Sequence, residues 1–322
     1  MVNFTPVVSV IMNGLNCQEY LQEAIDSVFA QTWADWEIIF FDNCSTDDTA
    51  KMAKSYGEKV RYFKSDKTLP LGAARNLAIE KAQGGYIAFL DCDDVWLPQK
   101  LEKQLNLFNS NPSFAMVFCD AFFFSKENVS LSLFAHRPPA QGLAFRSMLK
   151  NYEIPMSTTI FRRNILNDIG GGFDERFNMV EDADFFLRMA YYYPMGYVNE
   201  ALVKRRMHDR SWTATRKELF PKEEEEMLKK FASMWPSFEA DFSEEIRFRR
   251  CVIGYQQAMV EWEKGNAAVA RERLGPFLKD QKKWLLAYLF SFVFSYSVYK
   301  KLKGCFKGAL APFKGSFDDQ AF

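Results

Sequence analysis

The chain has 322 residues, of which 48% are hydrophobic and 25% charged, a balance that excludes disordered and fibrous classes. Lysine plus arginine equal aspartate plus glutamate at 41 each, so the net charge argues for no nucleic-acid partner. The length suits one large domain with an appendage, and 32 Phe leave room for an apolar contact surface beyond the core.

Six cysteines (Cys17, Cys44, Cys92, Cys119, Cys251, Cys305) are scattered without a CxxC pair and read as buried free thiols of a reducing compartment. The N-terminus shows no charged segment followed by an apolar one. Val7 to Met12 reads instead as a strand, and a cytoplasmic location is expected.

Glu19 to Ala30 places Tyr20, Leu21, Ala24, Ile25, Val28 and Phe29 on one face of a helix. Glu37 to Phe41 is a short apolar run ending in Asp42, a buried strand. Ser45-Thr46-Asp47-Asp48 then has the capping-box pattern that opens a helix. Val60 to Phe63 predicts a strand, Gly72 to Ala82 a helix, Tyr86 to Leu90 a strand, Lys100 to Phe108 a helix, and Ala115 to Cys119 a strand ending at Asp120. This alternation implies a mostly parallel sheet covered by helices, with ligands bound beyond the carboxyl ends of its strands. Asp42, Asp91, Asp93, Asp94 and Asp120 all fall at such ends.

From Arg216 the pattern turns helical, over Glu218 to Trp235, Ser243 to Lys264 and Ala267 to Leu278. The expected organisation is a catalytic domain over 1–215 and a helical region over 216–322. Trp284 to Tyr299 is apolar apart from three serines, and between Gln281 and Gly315 stand seven lysines and no acid. At 16 residues this run is short of the ~20 that span a bilayer. An interfacial helix over 284–303, making peripheral membrane contact at the inner face, is the preferred expectation. Packing against the chain's own core or a partner subunit is the alternative.

The strongest chemical signal is Leu90-Asp91-Cys92-Asp93-Asp94. Three carboxylates within four residues repel unless a cation or donors neutralise them, and oxygen ligands suit Mg²⁺ or Mn²⁺; a solvated turn capping the next helix would use the same residues. Asp42, with Asn43 and Ser45, either caps a helix or accepts from a nucleobase or ribose. Arg75, after the small residues Gly72, Ala73 and Ala74, either holds phosphate or pairs within the fold. Gly170-Gly171-Gly172 before Phe173 suggests a mobile loop. Glu181-Asp182-Ala183-Asp184 opens a helix whose dipole favours acids, and one of them is a candidate general base. His208, one of two histidines, lies in a basic run and is either exposed or a metal ligand.

Val8 to Met12, Tyr20-Leu21, Gln31-Thr32-Trp33, Asp42 to Asp47, Ala74-Arg75-Asn76, Leu90 to Asp94, Gly172 to Glu175 and Glu181-Asp182 resemble, in order and spacing, a family 2 inverting glycosyltransferase of the GT-A fold. The resemblance covers about residues 5 to 212. It implies a GT-A (Rossmann-like) α/β domain that transfers a sugar from a nucleoside diphosphate sugar, commonly a UDP-sugar, to a hydroxyl of a glycan, polysaccharide or lipid-linked acceptor. It places Asn13, Asp42, Asn43, Arg75, Asp91 and Asp93 at the nucleotide sugar, with Asp42 reading the base. Asp93 and His208 fall at a Mn²⁺ or Mg²⁺ site, and Asp182 is the catalytic base with Glu181 beside it. Asn43 departs from the aspartate usual there, and the acceptor loop carries an extra glycine. A catalytically silent protein of the same fold and a nucleotidyltransferase are the alternatives, the latter disfavoured because Met12 to Asn16 lacks a basic, glycine-rich phosphate loop.

Overall fold

The computed structural model describes residues 7–125, 129–208, 216–279 and 285–306. They fall into two compact units, one within 1–148 and 152–211, the other within 149–151 and 212–322.

The first unit is built on strands that read as continuous buried runs. β1 (Val8–Gly14) and β2 (Trp36–Asp42) are rich in β-branched and aromatic residues, and helix α1 (Gln18–Phe29) joins them. Leu21, Ala24, Ile25 and Val28 of α1 are fully buried as their spacing predicts, but Phe29 is exposed and lies edge-on to Trp36. Next come α2 (Thr49–Lys54), β3 (Val60–Lys64), α3 (Leu71–Glu80) and β4 (Tyr86–Phe89). The expected capping box does not form. α2 starts at Thr49, whose N–H donates to Asp47 at 3.0 Å, because Cys44 takes φ 72° and turns the chain first.

The chain continues through β5 (Val95–Trp96), α4 (Lys100–Ser110), β6 (Met116–Phe124), β7 (Val129–Ser132), α5 (Phe145–Lys150), β8 (Ile160–Arg162), α6 (Glu181–Tyr192) and β9 (Met195–Arg206). All nine strands share one sheet, ordered β3-β2-β1-β4-β8-β6-β9-β5 with β7 paired to β6. The sheet is mixed rather than mostly parallel. β3, β2, β1 and β4 run parallel and so do β6 and β9, whereas β8 is antiparallel to both of its neighbours. The core beneath it gathers Val10, Met12, Ile38, Phe40, Leu90 and Trp96.

The second unit carries α7 (Phe220–Met234), α8 (Phe238–Asp241), α9 (Ser243–Glu263), α10 (Ala267–Leu274), α11 (Leu285–Phe290) and α12 (Tyr296–Phe306). Its core joins Tyr255, Met259, Trp262, Leu274, Ala287 and Tyr296. The single interfacial helix expected over 284–303 is instead two short helices, and Trp284 lies outside the described residues. Ser291 explains part of the break: its hydroxyl donates to the Tyr288 carbonyl at 2.6 Å, competing with the backbone ladder. Among the described residues no helix is long and apolar enough to cross a membrane.

Candidate active site

β1, β2 and β4 end side by side, with Gly14 opposite Asp42 and Ile11 opposite Phe89. A side chain on Gly14 would meet the Cys17 sulfur at 2.7 Å and the Phe40 ring at 2.8 Å, so glycine is needed where β1 turns out of the sheet. Asp91, Asp93 and Asp94 follow directly on β4, and the second turn of α3 supplies Arg75.

Arg75 is 6% exposed and joins stretches of chain far apart in sequence. Its Nη1 donates to Glu181 Oε1 at 2.6 Å and its Nη2 to Asp91 Oδ1 at 3.4 Å, while the guanidinium lies 5.5 Å from the Phe173 ring centre. Small residues at Gly72 and Ala73 let α3 come this close. A Cβ on Gly72 would stand 3.2 Å from the Asp174 carbonyl. Glu181 and Asp182 open α6. Burial pushes the Glu181 carboxyl up to about 8 against the pull of Arg75, and its Oε2 is buried with no partner among the described residues. Burial also raises Asp182, again opposed by Arg75. Asp182 Oδ1 accepts from the Ala183 N–H at 2.7 Å.

On the other side, His208 Nε2 faces Asp93 Oδ2 at 2.8 Å, and His208 Nδ1 is buried without a partner among the described residues. Arg206 fixes this end of β9. Its N–H donates to Asp94 Oδ1 at 3.0 Å, its Nε donates to the Asp93 carbonyl at 3.0 Å, and it is ion-paired to Glu23. Asp94 is held by Ser157 Oγ at 2.7 Å, and burial pushes its carboxyl up to about 7. Among the described residues no group of three or more His, Cys, Asp and Glu side chains is placed to hold a metal; Asp93 and His208 are two donors. One carboxylate and one imidazole fit a Mn²⁺ or Mg²⁺ ion that takes its remaining ligands from phosphate and water.

Three predicted residues stand apart from these groups. Asp42 is fully buried. Its carboxylate accepts from the Ser45 N–H at 2.7 Å and from the Tyr62 hydroxyl at 2.6 Å, so it closes a turn inside the fold. Asn43 likewise bonds both backbone groups of Leu69, at 2.9 Å each. Asp120, expected at a strand end, sits in the middle of β6 at an irregularity opposite β9, and accepts from the Ala121 and Phe134 N–H groups. Asn13, by contrast, keeps its Nδ2 buried, without a partner among the described residues, near the end of β1.

The glycine loop is tied down rather than loose. Gly170 and Gly171 take φ 81° and 97°, which brings the carbonyls of Ile169, Gly171 and Gly172 onto the buried Arg188 guanidinium at 2.7, 3.1 and 2.5 Å. Asn76 bonds both backbone groups of Phe173. Tyr152 escaped sequence reading because one more aromatic in an aromatic-rich chain gives no signal. Burial, then the charges of Asp182 and Glu181, raises its phenol well above the usual range, which places it beside the candidate base. Arg206 had a signal in the basic run before His208.

A mixed sheet flanked by helices, with acids directly after β4, has the GT-A fold. The family profile "Glycosyl transferase family 2" matches residues 9–170, half of the chain, and the chain belongs to that family. It is 36% identical over 166 residues to TuaG of Bacillus subtilis, whose assignment to teichuronic acid biosynthesis is provisional; the match covers 51% of this chain and 65% of TuaG, just under two thirds. It is 28% identical over 182 residues to Escherichia coli WfgD, a UDP-Glc:α-D-GlcNAc-diphosphoundecaprenol β-1,3-glucosyltransferase, covering 56% of this chain and 68% of that one. In fold it resembles Staphylococcus aureus TarS 1–349 solved with UDP-GlcNAc, at TM-score 0.59, 16% identity and coverage of 94% and 92%. It also resembles the mannosyltransferase PcManGT of Pyrobaculum calidifontis solved with GDP-Man and Mn²⁺, at TM-score 0.58, 14% identity and coverage of 96% and 88%. The family is one of glycosyltransferases, which removes the nucleotidyltransferase alternative.

Proposed function

We propose that this glycosyltransferase moves a sugar, with inversion, from a nucleoside diphosphate sugar to a hydroxyl of a glycan, polysaccharide or lipid-linked acceptor, with a UDP-sugar the first candidate donor. The observation that carries the reading is Arg75, whose guanidinium reaches Asp91 on one side and Glu181 on the other. In this reading one cation borders both the leaving diphosphate and the base. TarS binds UDP-GlcNAc, and WfgD is named for a UDP-sugar and a diphosphoundecaprenol-linked acceptor, which supports donor and acceptor class.

In this reading Asp182 takes the proton of the acceptor hydroxyl as its oxygen attacks the anomeric carbon, and the bond from that carbon to the diphosphate oxygen breaks. A single displacement needs one base and no covalent carboxylate. Arg75 stabilises the charge that builds on the leaving diphosphate, and Asp91 holds the ribose. Asn13 offers its unpartnered amide to the nucleoside, whereas Asp42 and Asn43 shape the turn behind it. Asp93 and His208 would hold Mn²⁺ or Mg²⁺, which when bound neutralises diphosphate charge. The free cysteines of both units suit a reducing, cytoplasmic setting.

Thermal shift against UDP-, GDP- and other nucleotide sugars, with and without Mn²⁺, tests donor and metal together; stabilisation by none of them removes the reading. Asp182→Asn tests the base. Turnover is expected to fall by about 10²–10⁴-fold with donor affinity kept, and near-normal turnover rejects the role.

A further inference from the structure

Between Leu285 and Val298 six large apolar side chains stand in solvent: Leu285 44%, Leu289 51%, Phe292 60%, Val293 76%, Phe294 38% and Val298 39% exposed. This is not a stretch left over by a loose fold, because its other side is already used. Ala287 of α11 is 1% exposed and Tyr296 of α12 is 9% exposed, and both pack in the core with Trp262 and Leu274. Leu285 and Leu289, four residues apart, share the outer side of α11. The turn between α11 and α12 is pinned from below. Arg271 Nη1 donates to the Ser291 carbonyl at 2.8 Å, its guanidinium lies 4.2 Å from the Phe292 ring centre, and Trp262 Nε1 donates to the Phe294 carbonyl at 3.3 Å. A backbone held in this way presents Phe292, Val293 and Phe294 outward as a fixed apolar tip.

Charge decides the occupant. Lys300 and Lys301 on α12 are exposed, and the sequence from Gln281 to Gly315 holds seven lysines and no acid. A protein partner or a second copy would need acids on its side and none here. A bilayer bearing anionic lipid offers both complements at once, acyl chains for the tip and phosphates for the lysines. We infer that residues 285–301 form a lipid-docking surface, with the Phe292-Val293-Phe294 tip entering the acyl boundary of an anionic membrane and Lys300 and Lys301 meeting its headgroup phosphates. The inference goes beyond the catalytic reading and does not depend on which donor is used.

The test is flotation of the full chain with phosphatidylcholine vesicles, with and without phosphatidylglycerol. Two variants go with it, one carrying Leu289→Ser, Phe292→Ser and Val293→Ser, the other Lys300→Glu and Lys301→Glu. The wild type is expected to float with the anionic vesicles and, more weakly, with the neutral ones. The apolar variant is expected to lose about tenfold or more of its partition to both. The lysine variant should lose its preference for the anionic vesicles, an effect that high salt reproduces in the wild type. Circular dichroism melting checks that the variants fold; should the apolar one fail, the lysine variant at exposed positions decides alone. A wild type that stays with the dense fraction, or variants that float like it, overturn the proposal. So does light scattering that finds a dimer broken by the apolar variant without any flotation, since a second copy then covers the patch.

Discussion

Arg75 sets the protonation of the acids around it as well as their positions. Burial raises Asp182 and pushes Glu181 up to about 8, and in both cases the Arg75 charge works against the rise. A base must be unprotonated, so activity is lost as pH falls through the raised value and recovers above it. Removing the cation takes away the largest influence opposing burial. Arg75→Gln is therefore expected to shift the acid limb of the kcat/KM profile to higher pH, with kcat also reduced. Arg75→Lys, which keeps the charge and loses the two-pronged geometry, should leave the limb near its wild-type place. A Gln variant whose limb coincides with the wild type would show that Arg75 does not tune the base. At this scale the sequence located Asp91 and Asp93 directly after a strand, and Arg75 in a helix that opens on small residues. It misplaced Asp120 and left Asp42 open, because a carboxylate after an apolar run looks the same whether it faces a ligand or closes a turn on Ser45 or Phe134. Only the direction of the side chain separates the two, and spacing does not encode it.

Elements were legible in proportion to their continuity. β1, β2 and β4 are largely buried apolar runs and β3 is a partly buried one, all separated by helices, so alternation revealed them. β5 and β8 have two and three residues and exist only through their pairing with β9 and with β4 and β6, contacts that no local pattern announces. β9 ends in Lys204-Arg205-Arg206, and its basic end reads as a solvated loop although Arg206 is bound into the site. The step from α3 to β4 carries an element-level constraint of its own. Gly84 lies against the first residues of β1, where an added Cβ would stand 2.6 Å from Ser9 N and 2.8 Å from Val8 C. Both atoms belong to backbone locked in the sheet and cannot swing aside. Gly84→Ala is expected to destabilise by about 1–3 kcal/mol through overpacking, seen as a lower melting temperature. Gly85→Ala is the control, with nothing within 4 Å of its added carbon, and equal melting of the two would refute the contact argument.

At the scale of the whole molecule the change to helical pattern after Arg216 was visible, because β-branched runs cease there. The break between α11 and α12 was not, because an apolar stretch with serines fits one helix or two equally well. The helical unit also hides a polar feature that sequence spacing would assign to solvent. Glu224 Oε1 accepts from Arg249 Nη2 at 2.7 Å, with both side chains only 2% exposed. Burial raises the Glu224 carboxyl while Arg249 opposes the rise. Removing one partner breaks a buried charge pair, which costs about 3–5 kcal/mol, whereas replacing both with apolar groups of similar volume is nearly neutral. Glu224→Gln should therefore lower the melting temperature by roughly 5–15 °C, and Glu224→Met combined with Arg249→Met should recover most of it. Neither residue belongs to the donor site, so calorimetric affinity for the nucleotide sugar is expected to stay at its wild-type value in both variants. A single variant that melts with the wild type would show the pair to be dispensable, and a double variant as unstable as the single one would show that the lost stability came from packing rather than from charge.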